Sequence, residues 1–138
     1  MDISKSDIRL VQKCWFSVSN NAMDIADDFY EELFKRNPHY QQYFRTDRKI
    51  QANKLMSMIN IIINGLDVWE GVEPEVVKLG KIHSKIADFT DKDYQNITDI
   101  FIWAMCRYKR GEDEETIKAW QKIFLLISQT MISASNTK

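Results

Sequence analysis

The sequence predicts an all-α protein of six main helices and one short turn-helix. Three observations carry that prediction. Apolar residues recur at spacings of three and four along nearly the whole chain, and the alternation of a half-buried strand is absent. Helix-start patterns stand at the heads of several of those stripes. Only four glycines and two prolines punctuate 138 residues, too few for the many tight turns of an all-β fold.

The first stripe is Ile8, Val11, Cys14, Trp15 and Val18. Ser4, with Asp7 three residues later, makes a capping-box entry to it. The second stripe, Ala22, Ile25, Ala26, Phe29 and Leu33, stops at Asn37-Pro38, because the residue before proline disfavours helix. A short turn follows from Pro38 to Phe44. Thr46 or Asp47 then caps a longer helix with Gln51, Leu55, Met58, Ile59, Ile62 and Leu66 on one face, ending near Gly65. Pro74 suits the first turn of the next, short helix, which bears His83. Thr90 with Asp93 caps the fifth, carrying Ile97, Ile100, Phe101, Ala104, Met105 and Tyr108. The last starts in the acidic run Glu112 to Glu115, favourable at a positive helix end, with Ile117, Trp120, Phe124, Ile127 and Met131 as its stripe. The charge run Lys109 to Glu115 reads as a solvated turn between helices.

Length makes this one domain, residues 1–138, large enough for a core without staples. Hydrophobic content of 44% with 12% aromatics argues against disorder beyond the ends. A net charge of −1 leaves no basic footprint for nucleic acid and no polycationic membrane face. The most apolar run, Leu55 to Ile63, is broken by Ser57 and Asn60 and is too short to span a bilayer. No apolar signal region opens the chain. These features predict a cytoplasmic protein. Cys14 and Cys106 read as buried thiols of a reducing compartment, since two distant cysteines make neither a disulfide framework nor a zinc motif.

Three polar residues interrupt or adjoin apolar stripes. His83 shares a helix face with Val76 and Leu79. A core-facing histidine needs partners for its ring nitrogens. It is either a structural histidine bonded to a backbone carbonyl or a metal ligand. Gln51 lies one turn before Leu55, either in an exposed first turn or aimed inward. Tyr30 adjoins Phe29, with its hydroxyl in water or in the interior. His39, in the Pro38 turn, reads as exposed and uninvolved. Trp15, Trp69, Trp103 and Trp120 read as packing residues.

The order of these residues resembles a globin, most closely the single-domain bacterial globins and the globin part of flavohaemoglobins. The matching pieces are Phe29 to Phe34, Asn37-Pro38, Tyr43-Phe44, Gln51 to Met56, Leu79 to His83 and Ala119-Trp120. They span about Ile8 to Ile132, and the ordered set of Tyr30, Pro38, Phe44, Gln51, Leu55 and His83 is the specific part. The resemblance implies a globin fold, a helix sandwich around a haem pocket, with haem b (iron protoporphyrin IX) as cofactor. Attachment is non-covalent, since no Cys-x-x-Cys-His motif is present.

By the same resemblance His83 is the proximal iron ligand and Phe44 wedges the porphyrin. Gln51 and Tyr30 are the distal ligand-stabilising residues. Leu55 lines the distal cavity, and Leu79 and Tyr94 join the haem contacts. Lys54 either reaches a haem propionate or is solvated. Tyrosine and glutamine both donate hydrogen bonds to a polarised diatomic ligand. The implied function is reversible binding of O₂ and other diatomic gases, NO and CO, by a monomer or weak homodimer. Oxidation of NO to nitrate would make the protein an enzyme and requires a separate reductase. The alternative is a haem-based gas or redox sensor acting through a protein partner. A haem-free interaction protein of the same fold has no reason to keep His83, Phe44 and Gln51.

The chain departs from the flavohaemoglobin pattern at three places. Tyr94 follows His83 by eleven residues rather than ten. The turn Ser84 to Phe89 lacks the glycine usual there. The glutamate that partners the proximal histidine in that group falls at about Ser135, and no carboxylate follows Glu115. The second ring nitrogen of His83 is therefore expected to meet a neutral acceptor, such as the Leu79 carbonyl.

Overall fold

A computed structural model describes residues 3–108 and 113–136. Six α-helices carry them: α1 (Lys5–Val18), α2 (Ala22–Arg36), α3 (Arg48–Asn64), α4 (Trp69–Ser84), α5 (Asp91–Cys106) and α6 (Glu114–Ser135). Short 3₁₀ turns stand at Ser19–Asn21, Pro38–Tyr43 and Leu66–Val68. The all-α expectation, six main helices and a turn-helix at Pro38, is what the chain forms.

The helix starts follow from local hydrogen bonding. The Ser4 hydroxyl accepts from the Asp7 N–H and the Asp7 carboxylate accepts from the Ser4 N–H, both at 3.0 Å. Thr90 and Asp93 repeat this box at the head of α5. Asp47, rather than Thr46, caps α3 by accepting from the Lys49 N–H at 2.8 Å. Asp113 caps α6 by accepting from the Thr116 N–H at 2.8 Å. Residues 109–112 of the predicted charged turn lie outside the described residues.

Two local expectations are corrected. Helix α4 starts at Trp69, so Pro74 sits inside it rather than in its first turn, and the helix is not short. The carbonyl that the proline ring displaces is that of Glu70, still in the first turn, which limits the cost. On α3 the buried face is Ala52, Met56, Ile59, Ile62 and Ile63. Gln51, Leu55 and Met58, predicted to share the core stripe, are only half-buried.

The core is aromatic where α1, α2, α5 and α6 meet. Trp15 lies edge-on to Trp120 at 6.5 Å, and Phe101 packs edge-on to both Phe29 and Phe124 at 5.5 Å. Trp15 Nε1 donates to Asn60 Oδ1 at 2.9 Å and ties α1 to α3. Trp69 and Trp103 are half-buried, and the Arg107 guanidinium covers the Trp103 ring at 4.9 Å. Cys14 and Cys106 are thiols, Cys14 buried and Cys106 half-buried. No helix among the described residues is long and apolar enough to cross a membrane.

Helix α4 packs most extensively on α6 and only sparsely on α3. Gly80 explains the first contact. A Cβ built there would lie 2.5 Å from the Met131 carbonyl oxygen and 2.7 Å from the Met131 Cα. Both are backbone atoms, which cannot swing aside as a flexible side chain would. Alanine is favoured over glycine by roughly 1 kcal/mol in a helix interior, so any net loss on substitution measures the clash. Gly80→Ala should destabilise the protein by about 1–3 kcal/mol. The reading is a lower urea midpoint at unchanged slope; a midpoint equal to or above wild type would show that the two backbones do not approach so closely.

Candidate functional site

Two helices leave an apolar stripe half-covered. On α3 it is Gln51, Leu55 and Met58; on α4 it is Leu79 and His83, beside the fully buried Val76 and Gly80. The two helices pack little on each other, so neither stripe is covered by the other helix. The predicted site residues fall in two groups, one from α2, the Pro38 turn and α3 and one from α4 and the segment after it.

The first group is aromatic and comes from α2 and the Pro38 turn. Tyr30 is 3% exposed. It stacks on Phe34 with ring centres 5.9 Å apart, and both rings meet Phe44 edge-on at 5.4 Å. The Tyr30 hydroxyl donates to no group among the described residues. Burial pushes its pKa up to about 12, against the opposing charge of Arg48. Tyr30 is therefore a neutral donor without an acceptor. Among the described residues the Gln51 side chain forms no hydrogen bond, to Tyr30 or to any other group, while its backbone N–H donates to the Asp47 carbonyl at 3.1 Å. Lys54 is exposed and forms no ion pair among the described residues.

The second group surrounds His83. Its ring is edge-on to Phe89 at 6.1 Å and lies 6.4 Å from the Tyr94 ring. Phe89 also meets Tyr43 at 5.3 Å. His83 Nδ1 is enclosed and has no hydrogen-bond partner. The expected bond to the Leu79 carbonyl is not made, because the aromatic contacts orient the ring and no acceptor stands in bonding position. Burial holds the imidazole pKa below its ordinary value, so the ring is neutral at neutral pH. Burial likewise pushes the Tyr94 phenol up to about 12. The extra residue between His83 and Tyr94 is absorbed in the non-helical connection 85–90, and Tyr94 still reaches the histidine.

Behind Tyr94 lies a cavity of about 250 Å³ lined by Gly80, Ser84, Phe89, Ile132 and Ser135 among others. The Ser135 hydroxyl donates to the Ile132 carbonyl at 2.8 Å, within its own helix.

Three contributors escaped the sequence reading. Phe89 was only part of a turn, yet it orients His83. Tyr40 is buried, and its hydroxyl donates to Asp93 Oδ1 at 2.7 Å, strapping the Pro38 turn to the head of α5. Arg48 lies over the Phe34 ring at 5.6 Å. A signal for Arg48 existed, since a cation in a first helical turn opposes the helix dipole.

The donor set restricts the chemistry. Among the described residues no group of three or more His, Cys, Asp or Glu side chains is placed to hold a metal ion. A metal bound by His83 must bring its other ligands with it, as a porphyrin iron does. The neutral His83 imidazole, which can offer one ring nitrogen, fits that requirement.

The sequence model of the family described as Globin matches residues 27–131. Among solved structures, a bacterial globin from Campylobacter jejuni aligns with a TM-score of 0.81 at 21% identity over 96% of each chain. A hexacoordinated haem protein from an anhydrobiotic tardigrade aligns with 0.83 at 12% identity, over 96% of this chain and 94% of that one. The haemoglobin of the botfly Gasterophilus intestinalis aligns with 0.81 at 15%, over 96% and 98%. No curated protein matches the chain. At these identities the likeness to solved structures is one of fold.

The Tyr40–Asp93 strap yields a pH test. Burial alone would raise the Asp93 pKa. Hydrogen bonds from the Thr90 backbone, the Tyr40 hydroxyl and the Thr90 hydroxyl outweigh it and hold the carboxyl below its ordinary value. A depressed carboxylate contributes stability that is present above its unfolded pKa and lost as pH falls through the folded one. Tyr40→Phe should cost about 1.5 kcal/mol near neutral pH, the low end for a bond to a charged group, since Asp93 keeps Thr90. The gap between variant and wild type should close as pH drops below about 4. A gap that stayed constant in urea melts across that range would show that the lost bond did not depend on the carboxylate charge.

Proposed function

The chain belongs to the globin family, and we propose that it binds one haem non-covalently in the slot between α3 and α4, with His83 as the protein ligand to the iron. The carrying observation is the family match over residues 27–131 together with the half-buried His83 imidazole, which burial keeps unprotonated; Nε2 would hold the iron, and Nδ1 is the second ring nitrogen. When bound, the haem supplies an iron whose remaining open position takes a diatomic gas reversibly. The chain supplies everything that orients and polarises.

His83 stands in the last turn of α4 and is held by Phe89 and Tyr94. Its low basicity keeps the ligating nitrogen unprotonated. Phe44, Leu55 and Leu79 would supply the apolar contacts that hold the haem, and the exposed Lys54 would supply a positive charge for a propionate. Tyr30 and Gln51 are the distal donors. Neither side chain is committed to an acceptor among the described residues, so both would be available to donate to a polarised ligand such as O₂.

His83 has no anionic partner at Nδ1, and the Ser135 hydroxyl is engaged within α6. An imidazole without such a partner is a weaker electron donor. That favours reversible gas binding over oxidative turnover of nitric oxide, which would also need a separate reductase.

Two variants test the reading. His83→Ala should lose haem or hold it far more weakly, read from the absorption spectra of the ferric, ferrous and carbonyl forms; full retention with an unchanged spectrum would sink the assignment. Tyr30→Phe removes one donor at nearly constant volume. The O₂ dissociation rate should rise by about tenfold, taking the low end for a hydrogen bond to a charged group. Carbon monoxide, less polarised, should change less. Equal changes for both gases would mean that Tyr30 acts by shape.

A further inference from the structure

Arg48 and Lys49 open α3, at the end where the helix dipole disfavours a cation. Helix stability is therefore not what holds Arg48 there. It forms no ion pair among the described residues. Its side chain is exposed, with the guanidinium carbon over the Phe34 ring at 5.6 Å, and Phe34 stacks on Tyr30. A guanidinium held by an aromatic face keeps its N–H edge free to donate. Its charge acts on the Tyr30 phenol in opposition to burial. Gln51 follows Arg48 by three residues, on the same side of the helix.

The segment that carries Arg48 is rich in cations: within residues 45–54, Arg45, Arg48, Lys49 and Lys54 accompany one carboxylate, Asp47, which is engaged in capping α3. The chain as a whole carries a net charge of −1, so this cluster is local. Tyr30, Gln51 and Arg48 together present donors and no acceptor that must be shared with the protein.

We propose that Arg48 makes the distal side of the pocket selective for small monovalent anions, supplying the positive charge that a neutral tyrosine and glutamine lack. The inference rests on the haem reading above and names the ligand class of that site. An anion leaving water for the pocket loses hydration that neutral donors replace only in part. A nearby unpaired guanidinium offsets the remainder and draws anions to the mouth.

Azide is the probe, titrated into the ferric, haem-loaded protein and followed by absorption, with neutral imidazole as the comparison ligand. Arg48→Gln should weaken azide binding by about tenfold, as expected for loss of a charge-assisted contact, and leave imidazole binding unchanged. Arg48→Lys keeps the charge and should fall between. Azide association should slow with added salt in the wild type and less so in Arg48→Gln. Equal weakening of azide and imidazole, no weakening of azide, or a Lys variant as impaired as the Gln variant would overturn the proposal. Failure of the haem reading shows separately, as the lack of a His83-dependent spectrum before any azide is added, and would take this proposal with it.

Discussion

The approach of α4 to α6 at Gly80 is the constraint on which the site depends. With no side chain at that position, the backbone of α4 rests against the backbone at Met131. A helix is stiff over one turn, so the residues just beyond Gly80 have little freedom once that contact is made. His83, three residues on, takes its place from it. Because α4 is committed to α6, it does not also close on α3, and the stripes of both helices remain half-covered.

An enclosed polar atom without a partner costs the protein roughly 1–3 kcal/mol. His83 Nδ1 is in that state, and among the described residues the Tyr30 hydroxyl and Gln51 amide are not committed to an acceptor. The two sides also differ in character. Around His83 the neighbours are aromatic edges, which orient a ring without protonating it. Around Tyr30 they are stacked rings under a guanidinium, which add positive potential without adding an acceptor.

The corner between α2 and α3 is held from outside the slot. The bond from Tyr40 to Asp93 uses a carboxylate that already caps α5. One acidic group thereby serves the start of a helix and the position of Tyr43 and Phe44. The aromatic contact of Tyr43 with Phe89 continues this link to the segment that orients His83. The two halves of the site are joined through side chains rather than through helix packing.

What the sequence determined by itself is what local chemistry controls. The capping boxes at Ser4 and Thr90, the stop at Asn37-Pro38, the cap near Asp47 and the end at Gly65 involve residues within four positions of each other. So does the face that His83 shares with Val76 and Leu79. The ordered residues from Tyr30 to His83 were enough to point to the family. Tertiary structure decided what depends on partners distant in the chain. The turn Leu66–Val68 leads into a helix that starts before Pro74, and packing rotated the buried face of α3 from Leu55 towards Met56. The orientation of His83 by Phe89 and Tyr94, the strap from Tyr40 to Asp93 and the rest of Gly80 on Met131 are meetings of side chains or backbones from different elements. Periodicity assigns a residue to a helix face; it does not say which other helix that face will meet, because that is settled by the packing of all six at once.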